Sequence, residues 1–278
     1  MERRNIDAAV ISDTHLGTYS SHAKELVAYL KSISPQLLIL NGDIIDIWQF
    51  SKHYFPSAHL AVIKEILNLL TNGTRVIYIT GNHDEILRRY SDLQIGNFQL
   101  KDKLVIEIDN KMTWFFHGDV FDNATHGAAK LWTKLGSNGY AVLLGTNRLI
   151  NRLMKMMGRE RVSLSKKIMT QVNKSVIKIN EFETLVAELA IEKKYDYVVC
   201  GHIHQPQKRN IQTEKGAVQY LNSGDWVEHL TSLEYYNNDW HTYEYDEKIM
   251  KAPEVKQMKP ETEVLSNEIN LFIHSLRV

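Results

Sequence analysis

The chain has 278 residues, 44% hydrophobic and 24% charged, enough to bury the core of one large domain or two small ones. Its 33 Lys and Arg balance 33 Asp and Glu, so it lacks the global basic field of a non-specific nucleic-acid binder, and a nucleic-acid partner is not expected. The single cysteine, Cys200, excludes an intramolecular disulfide, no apolar run is long enough to span a bilayer, and the N-terminus reads as a first strand, so a cytoplasmic location is expected.

Short apolar runs bounded by turn residues recur along the chain. "DAAVIS" (7–12), "QLLIL" (36–40), "RVIYIT" (75–80), "MTWFF" (112–116) and "YDYVVC" (195–200) are rich in Val, Ile or aromatics. Each predicts a strand buried on both faces. Helical patterns separate the first three. "SSHAKELVAYLKSI" (20–33) sets Leu26, Leu30 and Ile33 on one face, and "SAHLAVIKEILNLLTNG" (57–73) ends on an Asn72-Gly73 cap. This alternation implies parallel pairing through right-handed crossovers.

The pattern then changes. "KLVIEIDNKMTWFFHGD" (103–119) reads as a hairpin turning at Asp109-Asn110-Lys111. From Phe121 to Lys194 the periodicity is helical, with Ser163 as an N-cap and apolar residues from Leu164 to Leu189 near a 3.6 repeat. "AVQYLNSGDW", "TSLEYY" and "WHTYEYD" then read as an antiparallel meander, and the polar tail from Lys251 is expected to pack on the surface or fray. The expected fold is an α/β sandwich forming a single domain over 1–278, interrupted by a helical insertion over 121–175.

The strand ends carry the chemistry. They supply Asp13 and His15; Asp43; Asn82, His83 and Asp84; His117 and Asp119; and His202 and His204. In α/β sheets ligands gather at the carboxyl ends of strands, where loops converge on a rigid frame. Asp, His and a neutral Asn oxygen suit Mn, Fe, Zn, Co or Ni better than Ca. The donors are too many for one ion and about right for two that share a carboxylate. A lone histidine at a strand end is more often a hydrogen-bonded core or rim residue, but five such endings in order are not explained that way.

Asp13-x-His15, Gly42-Asp43, Gly81-Asn82-His83-Asp84, His117-Gly118-Asp119 and Gly201-His202-x-His204 resemble the five signature blocks of the calcineurin-like metallophosphoesterases. The resemblance implies that Asp13, His15 and His204 bind one divalent ion and Asn82, His117 and His202 another, with Asp43 bridging. It further implies a bridging hydroxide as nucleophile and a four-layer αββα sandwich. Mn²⁺ is the expected ion. His83 is not needed as a ligand; beside Asp84, which could hold its tautomer, it is placed to protonate or neutralise the leaving oxygen, unless it only supports Asn82. Asp46 and Asp119 are expected behind the ligands.

Within that family, "SDTHLGT", "GDIIDIW", "HGDVFD" and "VVCGHIHQP" followed by "YLNSGDWVE" are similar to the UDP-2,3-diacylglucosamine hydrolases of lipid A synthesis and their paralogues. That resemblance implies a pyrophosphohydrolase yielding UMP and a lipid sugar 1-phosphate, with the insertion as a lid for acyl chains. His83 departs from it, since the best-known branch has Arg there. The insertion mixes apolar and basic residues, which suits an amphipathic lipid phosphate or peripheral contact with an inner membrane surface. Arg152 and Arg161 are its candidate phosphate contacts, and an ordinary helical subdomain is the competing reading. A soluble phosphodiesterase or phosphatase acting on nucleotides or other small phosphoesters is the alternative function. A nuclease is disfavoured by the charge balance, and a non-catalytic scaffold by the intact ligand positions.

Overall fold

The computed structural model describes residues 3–48, 54–121 and 179–248. The chain divides into two compact units, Met1–Asp119 with Val186–Val278 and Val120–Leu185. Apart from Phe121, the expected insertion over 121–175 lies outside the described residues, as do Ser163, Arg152, Arg161 and the tail from Lys251.

In the first unit, β1 (Arg4–Ile11), α1 (Ala23–Ser32), β2 (Ile33–Asn41), α2 (Ser57–Thr71) and β3 (Arg75–Ile79) follow the predicted alternation. β1, β2 and β3 lie side by side and parallel. α2 ends where expected: Asn72 donates its N–H to the carbonyls of Asn68 and Leu69, and Gly73 takes φ +98°. Ile33 does not close the apolar face of α1; it begins β2, where it is fully buried. β5 (Phe98–Lys101) extends the parallel set beside β3, and β4 (Gln94–Ile95) closes that edge antiparallel to β5; neither was legible, being short and mixed in polarity.

The hairpin is present as β6 (Lys103–Ile108) and β7 (Lys111–Phe116). Its turn is the pair Asp109-Asn110, with φ of 48° and 60°, and Lys111 already belongs to the strand. Two left-handed residues match the twist of the flanking strands. β7 pairs in parallel with β8 (Tyr197–Cys200), which pairs in parallel with β10 (Gly216–Asn222). An unanticipated strand, β9 (Gln207–Thr213), closes that edge antiparallel to β10.

The expected meander is corrected here. β11 (Thr231–Tyr236) and β12 (Asp239–Glu244) form a hairpin, but it joins β1 and not β10. The loop after β10 carries the chain from one sheet to the other, a long-range choice that local alternation does not encode. The result is a seven-stranded sheet ordered β12-β11-β1-β2-β3-β5-β4 and a five-stranded sheet ordered β6-β7-β8-β10-β9.

Strand alternation explains why the apolar runs are continuous. Ala8, Val10, Ile39, Ile77 and Ile79 face the second sheet and pack with Leu104, Phe115, Val199 and Leu221. Their neighbours Ala9, Ile11, Leu38, Leu40, Val76 and Tyr78 face the other way, onto Leu26 and Leu30 of α1 and Leu60 and Leu69 of α2. A further helix ends at residue 192 and sets Ile191 against the start of β10, where a Cβ on Gly216 would be 3.2 Å from it. The α/β sandwich is therefore built on two facing sheets. No described helix is long and apolar enough to cross a membrane.

Candidate metal centre

The carboxyl ends of β1, β2, β3, β7 and β8 reach one edge of the two sheets, and backbone bonds tie the loops leaving them together. Asp13 N–H donates to Gly42 O at 3.1 Å, His15 N–H to Asp43 O at 3.0 Å, and Gly201 N–H to His117 O at 2.9 Å. Asp13, His15, Asp43, His202 and His204 all take φ between 45° and 67°, the left-handed region that non-glycine residues seldom adopt. Such backbone persists where the surroundings over-determine it, and it concentrates at functional sites.

Two glycines answer a packing need. A Cβ on Gly81 would collide with Asp43 Oδ1, and one on Gly201 would stand 2.5 Å from Asp13 Oδ2. Glycine at these strand ends lets the carboxylates press against the neighbouring backbone. Asp13 Oδ2 accepts the His202 N–H at 3.1 Å, and Asp43 Oδ1 accepts the His83 N–H at 2.8 Å.

The other carboxylate oxygens face imidazoles. Asp13, His15 and His204 form one group, His15, Asp43 and His83 a second, and Asp43, His117 and His202 a third, with the donor atoms of each group within 4.8 Å of one another. His204 Nε2 lies 3.2 Å from Asp13 Oδ1, His117 Nε2 3.2 Å from Asp43 Oδ2, and His15 Nε2 3.4 Å from His204 Nε2. Asn82 Oδ1, Asp13 Oδ1 and His117 Nε2 are buried, and none completes a hydrogen bond. Buried polar atoms are rarely left in this way.

The donors fit divalent cations. His117 Nδ1 donates to the backbone carbonyl of Asn41 at 2.9 Å, which leaves the Nε2 lone pair directed into the cluster. His15 Nδ1 similarly faces Asp46 Oδ2 at 3.3 Å. The electrostatics agree. Burial alone would raise Asp13 and Asp43, but His204 and His117 hold Asp13 at about 2, and His117, with His15 and His83, holds Asp43 well below the carboxylate range. In return, and against the opposing effect of burial, Asp13 drives His204 up to about 9 and Asp43 drives His117 well above its ordinary value. Carboxylates that pull protons onto buried imidazoles this strongly demand positive charge, which metal ions can supply instead.

The expected partnership of His83 with Asp84 is corrected. Asp84 is fully buried and turned away from the imidazole. Its Oδ2 accepts from Ile44 N–H at 2.9 Å and Tyr78 O–H at 2.6 Å, and its Oδ1 from Gly81 N–H at 2.6 Å. It braces the loops after β2 and β3. The carboxylate beside His83 is Asp46, whose Oδ2 lies 2.8 Å from Nδ1. Adjacent residues in this turn point in opposite directions, which made the nearest carboxylate in sequence the wrong one.

Asp119, expected behind the ligands, pairs with Arg88 at 2.5 Å and so links the end of β7 to the turn after β3. Asp225 was missed. It follows β10 in "NSGD", the same strand-end signature as the others, and the sequence blocks that contain it gave it no role at the site. Fully buried, it pairs with His229 Nδ1 at 2.7 Å and lies 4.0 Å from His204 Nδ1.

Residues 7–206 match the sequence model of the family described as calcineurin-like phosphoesterase. A UDP-2,3-diacylglucosamine hydrolase of Aeromonas salmonicida is 25% identical over 224 residues, covering 78% of this chain and 85% of that protein. One from Porphyromonas gingivalis is 23% identical over 236 residues, covering 78% and 88%. A solved structure of an archaeal phosphodiesterase aligns with a TM-score of 0.41 at 17% identity, over 85% of this chain and 98% of that one. With the model spanning most of the chain and all the strand ends from Asp13 to His204, this protein belongs to the calcineurin-like phosphoesterase family and is a metal-dependent phosphoester hydrolase.

Proposed function

We propose that the chain is a pyrophosphohydrolase of the UDP-2,3-diacylglucosamine hydrolase type, releasing UMP and a lipid sugar 1-phosphate. The observation that carries the reading is the position of Asp43, whose carboxylate belongs both to the group with His15 and His83 and to the group with His117 and His202. Asp13, His15 and His204 would hold one divalent ion and Asn82, His117 and His202 the other, with Asp43 shared. Mn²⁺ is the ion assigned, and Fe²⁺, Zn²⁺, Co²⁺ or Ni²⁺ also suit these donors. When bound, such a pair supplies a water that ionises near neutral pH and an electrophilic clamp on the phosphoryl oxygens.

The chain's own residues set the rest. Asn41 and Asp46 fix the rings of His117 and His15 from behind. Asp84 is a positioning residue that keeps the loops of Asp43 and Asn82 in register. His83 is the catalytic acid, its Nε2 3.9 Å from Asp43 Oδ2 at the edge of the donor cluster, where it can meet the leaving oxygen; burial lowers its pKa, and Asp46 and Asp43 raise it above the ordinary value. A departing phosphate, with its second pKa near 6, needs only such charge neutralisation.

The substrate assignment is supported by the names of the relatives and by the sequence blocks shared with them. It brings with it a cytoplasmic enzyme in peripheral contact, through the insertion, with the membrane that carries the lipid, and with Arg152 and Arg161 on the phosphates of the substrate. Incubating purified protein with UDP-2,3-diacylglucosamine and Mn²⁺ should release UMP. If only simple aryl phosphodiesters turn over, the lipid reading is wrong while the hydrolase class stands.

A further inference from the structure

We propose that Trp48 is the platform on which the nucleobase of the substrate stacks, a specificity-determining contact that rests on the nucleotide-linked reading above. Trp48 lies on the loop that leaves β2 after Asp43 and Asp46, and it is 66% exposed. The ring nevertheless does not hang free. Its Nε1–H donates to the backbone carbonyl of Asn82 at 2.8 Å, and the preceding Ile47 N–H donates to the carbonyl of His83 at 3.1 Å. These bonds clamp the loop to the turn carrying Asn82 and His83, so the indole is held by its polar edge at the rim of the metal centre with a face left open.

The neighbouring exposed ring is arranged differently. Tyr19 is 78% exposed but already stacks on Tyr54, with centroids 3.7 Å apart. No aromatic partner is paired with Trp48 among the described residues. An aromatic surface fixed before its ligand arrives loses little conformational entropy on binding. One indole face matches the area of a single flat heterocycle. An acyl chain gains its free energy from enclosure along its length, which one open ring cannot provide. Base–aromatic stacking needs only that face and tolerates any base. The nucleobase, and not the lipid, is therefore the occupant.

The test is calorimetric binding of UMP and of ribose 5-phosphate, which lacks the base, to Mn²⁺-loaded wild type, Trp48→Ala and Trp48→Phe. Wild type should bind UMP about tenfold more tightly than ribose 5-phosphate. Trp48→Ala should bring the two to parity by weakening UMP alone. Trp48→Phe keeps a flat ring but loses the bond to Asn82, and should keep most of the preference. A full preference for UMP in Trp48→Ala would overturn the assignment of Trp48 and leave the nucleotide reading intact. Equal weakening of both ligands in both variants would mean that the indole only positions Asn82, and would also overturn it. No preference for UMP in wild type would sink the base platform and the nucleotide reading together.

Discussion

Replacing Asp84 with alanine separates bracing from catalysis. The carboxylate is fully buried and accepts from Ile44 N–H at 2.9 Å, Gly81 N–H at 2.6 Å and Tyr78 O–H at 2.6 Å. Its loss leaves three buried donors without a partner. At roughly 1.5–3 kcal/mol for each bond to a charged group, the gross loss is about 4–9 kcal/mol. Part is recovered because the variant no longer buries a carboxylate, which costs several kcal/mol. The net destabilisation should be about 3–5 kcal/mol, or a fall in Tm of roughly 10 °C for a chain of this size. Asp84→Asn keeps an acceptor for some of the donors and should fall between wild type and Asp84→Ala. Thermal and urea unfolding of the metal-free proteins read this directly. A Tm for Asp84→Ala within about 2 °C of wild type would refute the bracing geometry.

Three other outcomes follow from the same contacts. Asp46→Asn keeps the shape of the side chain but removes the charge facing His15 and His83, so activity or metal affinity should drop by about 10–100-fold with little change in Tm; unaltered kinetics and metal binding would show that Asp46 does not act through those rings. Gly201→Ala places a Cβ 2.5 Å from Asp13 Oδ2 and should weaken Mn²⁺ binding by at least about tenfold; calorimetry showing wild-type affinity would contradict the close approach. Burial holds His59 at about 4 against an ordinary 6.5. The unfolded chain therefore takes up that proton first, and stability should fall as pH drops from about 6.5 to 4, by up to about 3 kcal/mol, with no His59 contribution above that window. His59→Gln should flatten the slope, and an unchanged slope would exclude His59 as its source.

Much of the molecule was legible because its signals are local. Strands buried on both faces read as unbroken apolar runs, helices carried a 3.6 repeat and a glycine stop, and the site residues sit directly after strands, where chain direction alone brings them to one edge. What failed was long-range or directional. Nothing local told β11 and β12 to join β1, since that choice depends on a loop crossing between sheets. The partner of His83 was mistaken because proximity in sequence does not give side-chain direction inside a tight turn; Asp46 reaches it from the loop after β2. Asp225 carried the strand-end signature, yet its burial against His229 and His204 depends on β10 lying beside β8. The five left-handed residues among the proposed ligands show the local rules being broken where the site demands it.

The central claim is that Asp43 is shared between a pair of divalent ions. The most direct test is the metal content of Mn²⁺-loaded protein, measured by mass spectrometry after exhaustive removal of free ion, for wild type and Asp43→Ala. About two ions per chain in wild type, falling to one or none in Asp43→Ala, is the expected result. A wild-type protein that never retains more than a single ion, or an Asp43→Ala variant that retains both, would contradict it.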